Sequence, residues 1–385
     1  SEEIKLNTKF EYENFGSFFK IEIKTKDFKN FQYSINQLFD NKNEIISTGK
    51  AEYDTKNISI EGDIYSNQLN IIEISKLITQ VRNIKSRKNI FPVSLKTPKI
   101  NFNFDLEIDN ILLNKHKLQN ISSNIFSAKN EFVVQDLRMN YLKSQIKTNV
   151  IYHSESKKAK GKISILNFIV DKNFLGFDNF DISDASFDCD ILFTVENNKK
   201  TKVMLDKLFA KGNCNADSAK LIGLSLDKIS SGVDNLETFQ DFFDLFNKEK
   251  MKGITKIDEI SLKFDLKNSI LYLKDFLATQ RNIKVKGVGE YNFNNQKLRI
   301  NNNVFVKTKK YDDLPSFVVF VSGTPDKYKV SYNFDKIKSA VLTSGINSIL
   351  KKQKKIVINP ESLKGLIDKN REDFKPEKII DLFLN

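Results

Sequence analysis

The sequence predicts a mostly β protein built on one long antiparallel sheet with a single apolar face. Three observations carry this. Apolar and polar residues alternate with period two in segments spread along the whole 385-residue chain, which marks strands with one face covered and one face in water. Hydrophobic residues make up 40% and charged residues 29%, so a large core can form and compositional disorder is excluded. Glycine and proline number only 14 and 6, well under the usual ~12% of a chain together, which excludes collagen-like sequences and flexible linkers.

Taken in order, the first short alternation is Ile58 and Ile60, followed by a helical face of Ile71, Ile74, Leu77, Ile78 and Val81. From Lys99 to Asp109 every even position is apolar and every odd position polar or charged. The pattern returns at Phe187, Cys189, Ile191, Phe193 and Val195, at Ile260, Leu262, Phe264 and Leu266, at Ile283 and Val285, and at Tyr328, Val330, Tyr332 and Phe334. Between these, Leu236, Phe239, Phe242, Phe243 and Phe246 fall on one helical face. After residue 334 the pattern turns helical. Ile337, Val341 and Ile349 lead, a basic run from Lys351 to Lys355 follows, and Asn359-Pro360-Glu361 starts a helix carrying Leu363, Leu366 and Ile367. A short helix with Ile379, Ile380 and Phe383 follows Pro376. The expected organisation is a β body over 1–200, a helical insertion over 201–250, a β meander over 251–334 and a helical cap over 335–385, the cap closing one end of the sheet.

No apolar run reaches the ~18 residues of a spanning helix; Phe317 to Val321 is among the longest. Two cysteines, Cys189 and Cys214, exclude a disulfide framework, a four-cysteine zinc site and a redox CxxC pair. They are expected to be unbridged, because Cys189 belongs to a strand's apolar face and Cys214 precedes a different element. His116 and His153 are too few for most metal sites or a hydrolytic relay. Gly287-Val288-Gly289 lacks a third glycine and runs on as a strand, and there is no P-loop, GxSxG or HExxH. Asp105, Glu107 and Asp109 alternate along a polar strand face, which reads as solvated surface. No catalytic residue, metal ligand or cofactor is expected. The net charge of +13 suits an anionic partner in general, but lysine is spread along a chain that is rich throughout in Asn, Ile and Phe.

Several segments, in their order, carry a likeness. Gly49 to Tyr53, Ile58 to Asp63 and Leu69 to Ile71 form a strand pair leading into a helix. Phe102 to Ile108 with Ile111 to Leu113, Val133 to Leu137 and Gly161 to Ile163 continue as strands. Gly212 to Ile229 contains a short strand and then Gly223-Leu224-Ser225-Leu226-Asp227-Lys228-Ile229, matching G-[IL]-x-L-x-x-[IL], with Ser225 where an aspartate is usual. Ile270 to Phe276, Val285 to Phe293, Lys297-Leu298 and Val321-Ser322-Gly323-Thr324 complete the series. Together they resemble the C-terminal region of the AsmA family of bacterial envelope proteins, over roughly residues 50 to 330. The family's N-terminal anchor and first β segment have no counterpart here, so the resemblance implies a portion of a longer protein.

The resemblance implies a twisted sheet curled into an open taco-like groove, as in the repeating β-groove lipid-transfer proteins. It also implies a periplasmic location, a tether to the inner membrane and a part in outer-membrane biogenesis and phospholipid movement. Alternation selects the candidate groove-lining residues: Phe102, Phe104, Leu106 and Ile108, then Phe187, Ile191 and Phe193, then Ile260, Leu262, Phe264 and Leu266. The expected function is a non-enzymatic lipid-binding or phospholipid-transport protein. The alternative is an assembly factor docking a protein partner, such as an outer-membrane assembly protein, or a β-strand client in the same groove. Nucleic acid is not an expected partner: Trp is absent, and the aromatic residues fall mostly on the apolar side of the alternation. A closed sandwich, with a second sheet over the apolar face, is the competing architecture.

Overall fold

The computed structural model describes residues 3–12, 17–39, 43–54, 56–72, 75, 99–113, 116–128, 130–170, 181–196, 204–235, 252–309, 314–324, 327–340 and 343. Nineteen strands form one mostly antiparallel sheet that is not closed into a barrel. Among the described residues no helix is long and apolar enough to cross a membrane. By packing, the chain divides into two units, one of Ser1–Ile169 with Asp188–Gly212 and the other of Val170–Phe187 with Asn213–Asn385.

In the first unit, β1 (Ile4–Tyr12), β2 (Ser17–Thr25), β3 (Asn30–Phe39), β4 (Asn43–Tyr53) and β5 (Asn57–Ser66) form an antiparallel meander. Two of its turns repeat one device. Asp27 accepts hydrogen bonds from the Lys29 and Asn30 amides and the Asn30 side chain at 2.7–2.9 Å, and Asp54 does the same with Lys56 and Asn57. An aspartate at the first position is a turn residue because its carboxylate satisfies amides that the turn leaves unpaired.

β7 (Lys99–Leu113) then lies parallel to β5, with Asn57 opposite Lys99 and Ser66 opposite Ile108. The short β6 (Leu69–Asn70) is also parallel to β7. A parallel neighbour needs a long connection, and residues 71–98 separate β6 from β7; of the helix expected there, residues 71, 72 and 75 are described as helical and Ile74, Leu77, Ile78 and Val81 lie outside the described residues. Antiparallel pairing resumes through β8 (His116–Ala128), β9 (Glu131–Tyr141), β10 (Ser144–His153) and β11 (Lys158–Val170).

One apolar face runs across these strands. Buried Leu69, Ile108 and Ile121 form its core, with Ile45, Leu106, Leu137 and Met139 against them. Where two strands place glycines opposite each other, Gly49 and Gly62, the Tyr33 hydroxyl lies over both. A Cβ on either glycine would fall 2.8 Å from the other's Cα or closer to backbone oxygen, so this approach needs glycine on both sides.

β12 (Asp181–Ser183), β15 (Ala219–Ile222) and β16 (Ile254–Ile257) make a separate small antiparallel sheet. β13 (Ala185–Glu196) and β14 (Leu208–Ala216) belong to the large sheet. The stretch 201–250, expected as a helical insertion, thus carries two strands besides the four-residue α1 (Met204–Lys207) and α2 (Leu226–Asp234). The apolar side of β14 is made of Ala210, Gly212, Cys214 and Ala216, residues too small for their alternation to stand out. The helical face from Leu236 to Phe246 lies outside the described residues. Neither cysteine is free; Cys189 and Cys214 are both disulfide-bonded. This corrects the expectation of free thiols.

In the second unit, β17 (Glu259–Lys267), β18 (Ile270–Gln280), β19 (Ile283–Asn292), β20 (Lys297–Val306), β21 (Phe317–Thr324) and β22 (Lys327–Asn333) form a six-strand antiparallel meander. Asn268 and Ser269, both with positive φ, make the tight turn between the first two. Residues 335–340 and 343 are helical, and Ile337 there is 1% exposed. The rest of the expected cap, residues 341, 342 and 344–385 and with them Val341, lies outside the described residues.

Candidate functional site

The register of the β17–β21 meander stacks side chains of one face into four rows. The first is Ile260, Ala278, Val285, Val304 and Phe317, all 7% exposed or less. The second is Leu262, Phe276, Gly287, Asn302 and Val319. The third is Phe264, Leu273, Gly289, Ile300 and Val321, and the fourth Leu266, Leu271, Tyr291, Leu298 and Gly323. Successive rows are two residues apart on each strand, except for one step of three on β18 between Phe276 and Leu273, so first and fourth are about 20 Å apart.

Keeping these residues on one face requires irregularities that alternation alone does not show. The β18–β19 register shifts between Leu273 and Phe276, and the β17–β18 register shifts between Lys263 and Phe264. The bulge brings Leu273 and Phe276, three apart in sequence, to the same side while Lys274 and Asp275 remain exposed.

The small sheet and α2 cover the first-row end of this face. Leu224, Leu226 and Ile257 from the cover are at most 5% exposed. The cover is tied down by polar contacts. Ser225, the N-cap of α2, forms no side-chain cap; instead the fully buried Thr255 accepts from the Leu226 amide at 2.8 Å and donates to the Leu224 carbonyl at 2.7 Å. The Ser230 hydroxyl donates to the Lys307 carbonyl at 3.1 Å, and the Gln280 amide donates to Asp227 at 3.2 Å.

Between cover and sheet lies a cavity of about 640 Å³, in the range of pockets that hold small ligands. Its wall is apolar except for Glu290, Asn302 and the Tyr291 hydroxyl. Burial falls from the first row toward the third and fourth, whose large side chains other than the fully buried Val321 are half-buried, so the cavity is closed at one end and open at the other. At the open end the strand termini carry exposed Lys267, Lys297 and Lys327. Glu290 stands 3.9 Å from Arg299. Beside the second row, Tyr332 faces Val319 across β21–β22, and burial pushes its phenol above the ordinary value.

The cavity gathers three of the candidate residues, Ile260, Leu262 and Phe264. Leu266 pairs with the mouth residue Leu271 but is not part of the wall. The other candidates lie elsewhere. Phe187 is buried in the second unit. Phe102, Phe104, Leu106 and Ile108 line the apolar face of β7 in the first unit, where Phe102 stacks on Phe104 at 5.9 Å. Ile191 and Phe193 are half-buried on β13, and the Phe193 ring occupies the space a Cβ on Gly161 would need. Sequence reasoning missed the walls from β18, β20 and β21 and the cover. For β20 a signal existed, since Leu298, Ile300, Val304 and Val306 keep the alternation, broken only at Asn302. Among the described residues no cluster of three or more His, Cys, Asp or Glu is arranged to hold a metal ion.

No family model, curated protein or solved structure matches this chain.

Proposed function

We propose that this chain is a non-enzymatic lipid-binding or phospholipid-transport protein of the bacterial cell envelope, akin to the AsmA family, that shields acyl chains against an apolar sheet face. The observation that carries the reading is the half-open apolar cavity over β17–β21, walled by side chains and floored by a sealed end. A rigid apolar slot about 20 Å deep suits an acyl chain, whose burial is worth about 0.8 kcal/mol per methylene. The apolar face of the first unit, with Phe102, Phe104 and Leu106 half-buried, offers further surface of the same kind.

On this reading the protein works in the periplasm, tethered to the inner membrane, moving or holding lipid between inner and outer membranes. The disulfide state of both cysteines fits an oxidising compartment. The test is mass spectrometry of an organic extract of the purified protein. Recovery of acyl lipid in near-stoichiometric amount is expected, and an extract free of lipid from protein that also fails to take up added lipid overturns the reading.

A further inference from the structure

Asn302 stands in the second row, surrounded by Phe276, Val319 and Gly287, and is the one polar side chain of the first two rows. Its Oδ1 is buried without a hydrogen-bond partner. The oxygen occupies the place of a missing side chain: a Cβ on Gly287 would fall 2.0 Å from it. Gly287 therefore makes the room that Asn302 uses. A buried amide oxygen with no partner is costly to keep, and an aliphatic residue at 302 would continue the alternation of Leu298, Ile300, Val304 and Val306.

We infer that Asn302 is a specificity residue of the cavity, and that the preferred occupant is an acyl chain bearing a hydroxyl group part-way along its length. This rests on the lipid reading of the cavity. A hydroxyl both donates and accepts, so it pairs with either end of the carboxamide once the side chain turns from Gly287 toward the cavity. Depth sets its position. Asn302 is two rows in from the mouth row, about 14 Å, so with the chain's carboxylate in water at the open end the matching hydroxyl lies in mid-chain. A hydroxyl next to the carboxylate stays at the mouth and gains nothing from Asn302.

The experiment compares three probes on the full chain by displacement of a fluorescent fatty-acyl reporter: stearate, stearate hydroxylated beside its carboxylate, and stearate hydroxylated in mid-chain. The unsubstituted protein is expected to bind the mid-chain probe about tenfold more tightly than the other two. Asn302→Leu should reduce that ratio to about one while binding stearate at least as well. Asn302→Val carries the same comparison should the leucine variant fold poorly, being a strong strand former. Equal binding of the three probes by the unsubstituted protein overturns the inference and leaves the lipid reading standing. A mid-chain preference that survives in the apolar variants also overturns it. Failure to bind any of the three overturns the inference and the lipid reading of the cavity together.

Discussion

The depth gradient of the cavity makes a sharp prediction about charge. Phe264 belongs to the half-buried third row, whereas Val304 in the first row is 2% exposed. Replacing Val304 with lysine buries an ammonium with no counter-charge in its row, which should cost at least about 4 kcal/mol of stability. Phe264→Lys differs, because the lysine stem can lie along the wall and its head can reach water at the open end. The loss is then that of a partly buried phenyl ring, about 1–1.5 kcal/mol, half the value of full burial. For the ligand the order reverses. A charged head in the third row denies an acyl chain the two deeper rows; even four methylenes forfeited at about 0.8 kcal/mol each remove about 3 kcal/mol, more than a hundredfold in Kd. Urea unfolding of both variants, with titration of a neutral fluorescent acyl probe into Phe264→Lys, measures each quantity. Equal destabilisation by the two lysines would refute an open cavity and restore a closed core. Unimpaired probe binding by Phe264→Lys would refute the cavity as the lipid site.

Three further outcomes follow from the same geometry. Thr255→Val leaves the Leu226 amide and the Leu224 carbonyl unpaired beneath the cover, so it should cost about 2 kcal/mol or more in urea unfolding and speed amide exchange in α2. Hydrogen bonds from Asn30 chiefly hold the Asp27 carboxyl below its usual range, and those from Asn57 do the same for Asp54. A depressed folded pKa means stability that is present above the unfolded value and lost as pH falls through the folded one. The double variant Asp27→Asn, Asp54→Asn should therefore be less stable at neutral pH and lose less on acidification below about pH 4, measured as melting temperature against pH; an unchanged acid limb would count against these turns. Protein prepared from an oxidising compartment should show no reactive thiol when denatured without reductant and two after reduction; two before reduction would contradict the bridge.

The strands from 99 to 113, 185 to 196 and 259 to 267 were legible because each places large apolar residues at every second position, a pattern that only a half-covered strand rewards. β14 was not legible from its alternation, since its covered side is alanine, glycine and cysteine, and only the family resemblance marked a short strand from Gly212. Nor was the wall from β18, where a bulge shifts the alternation by one between Leu273 and Phe276. The cysteines misled for a related reason. Spacing along a chain says nothing of which positions stand side by side across a sheet, so their disulfide state was out of reach of the sequence.

Local chemistry determined the class of the molecule. Period-two patterning, few breakers and aspartates at the turns are properties of neighbours along the chain, and they suffice to require long strands with one face to cover. What covers that face is a matter of long-range pairing. The parallel placement of β7 beside β5, the folding of β16 and α2 over one end of the β17–β21 meander, and the single carboxamide of Asn302 among hydrocarbon all depend on residues tens of positions apart meeting in register. Only the tertiary structure decided that one end of the apolar face is sealed and the other open, because burial is set by the residues that arrive from elsewhere in the chain and not by the strand that is buried.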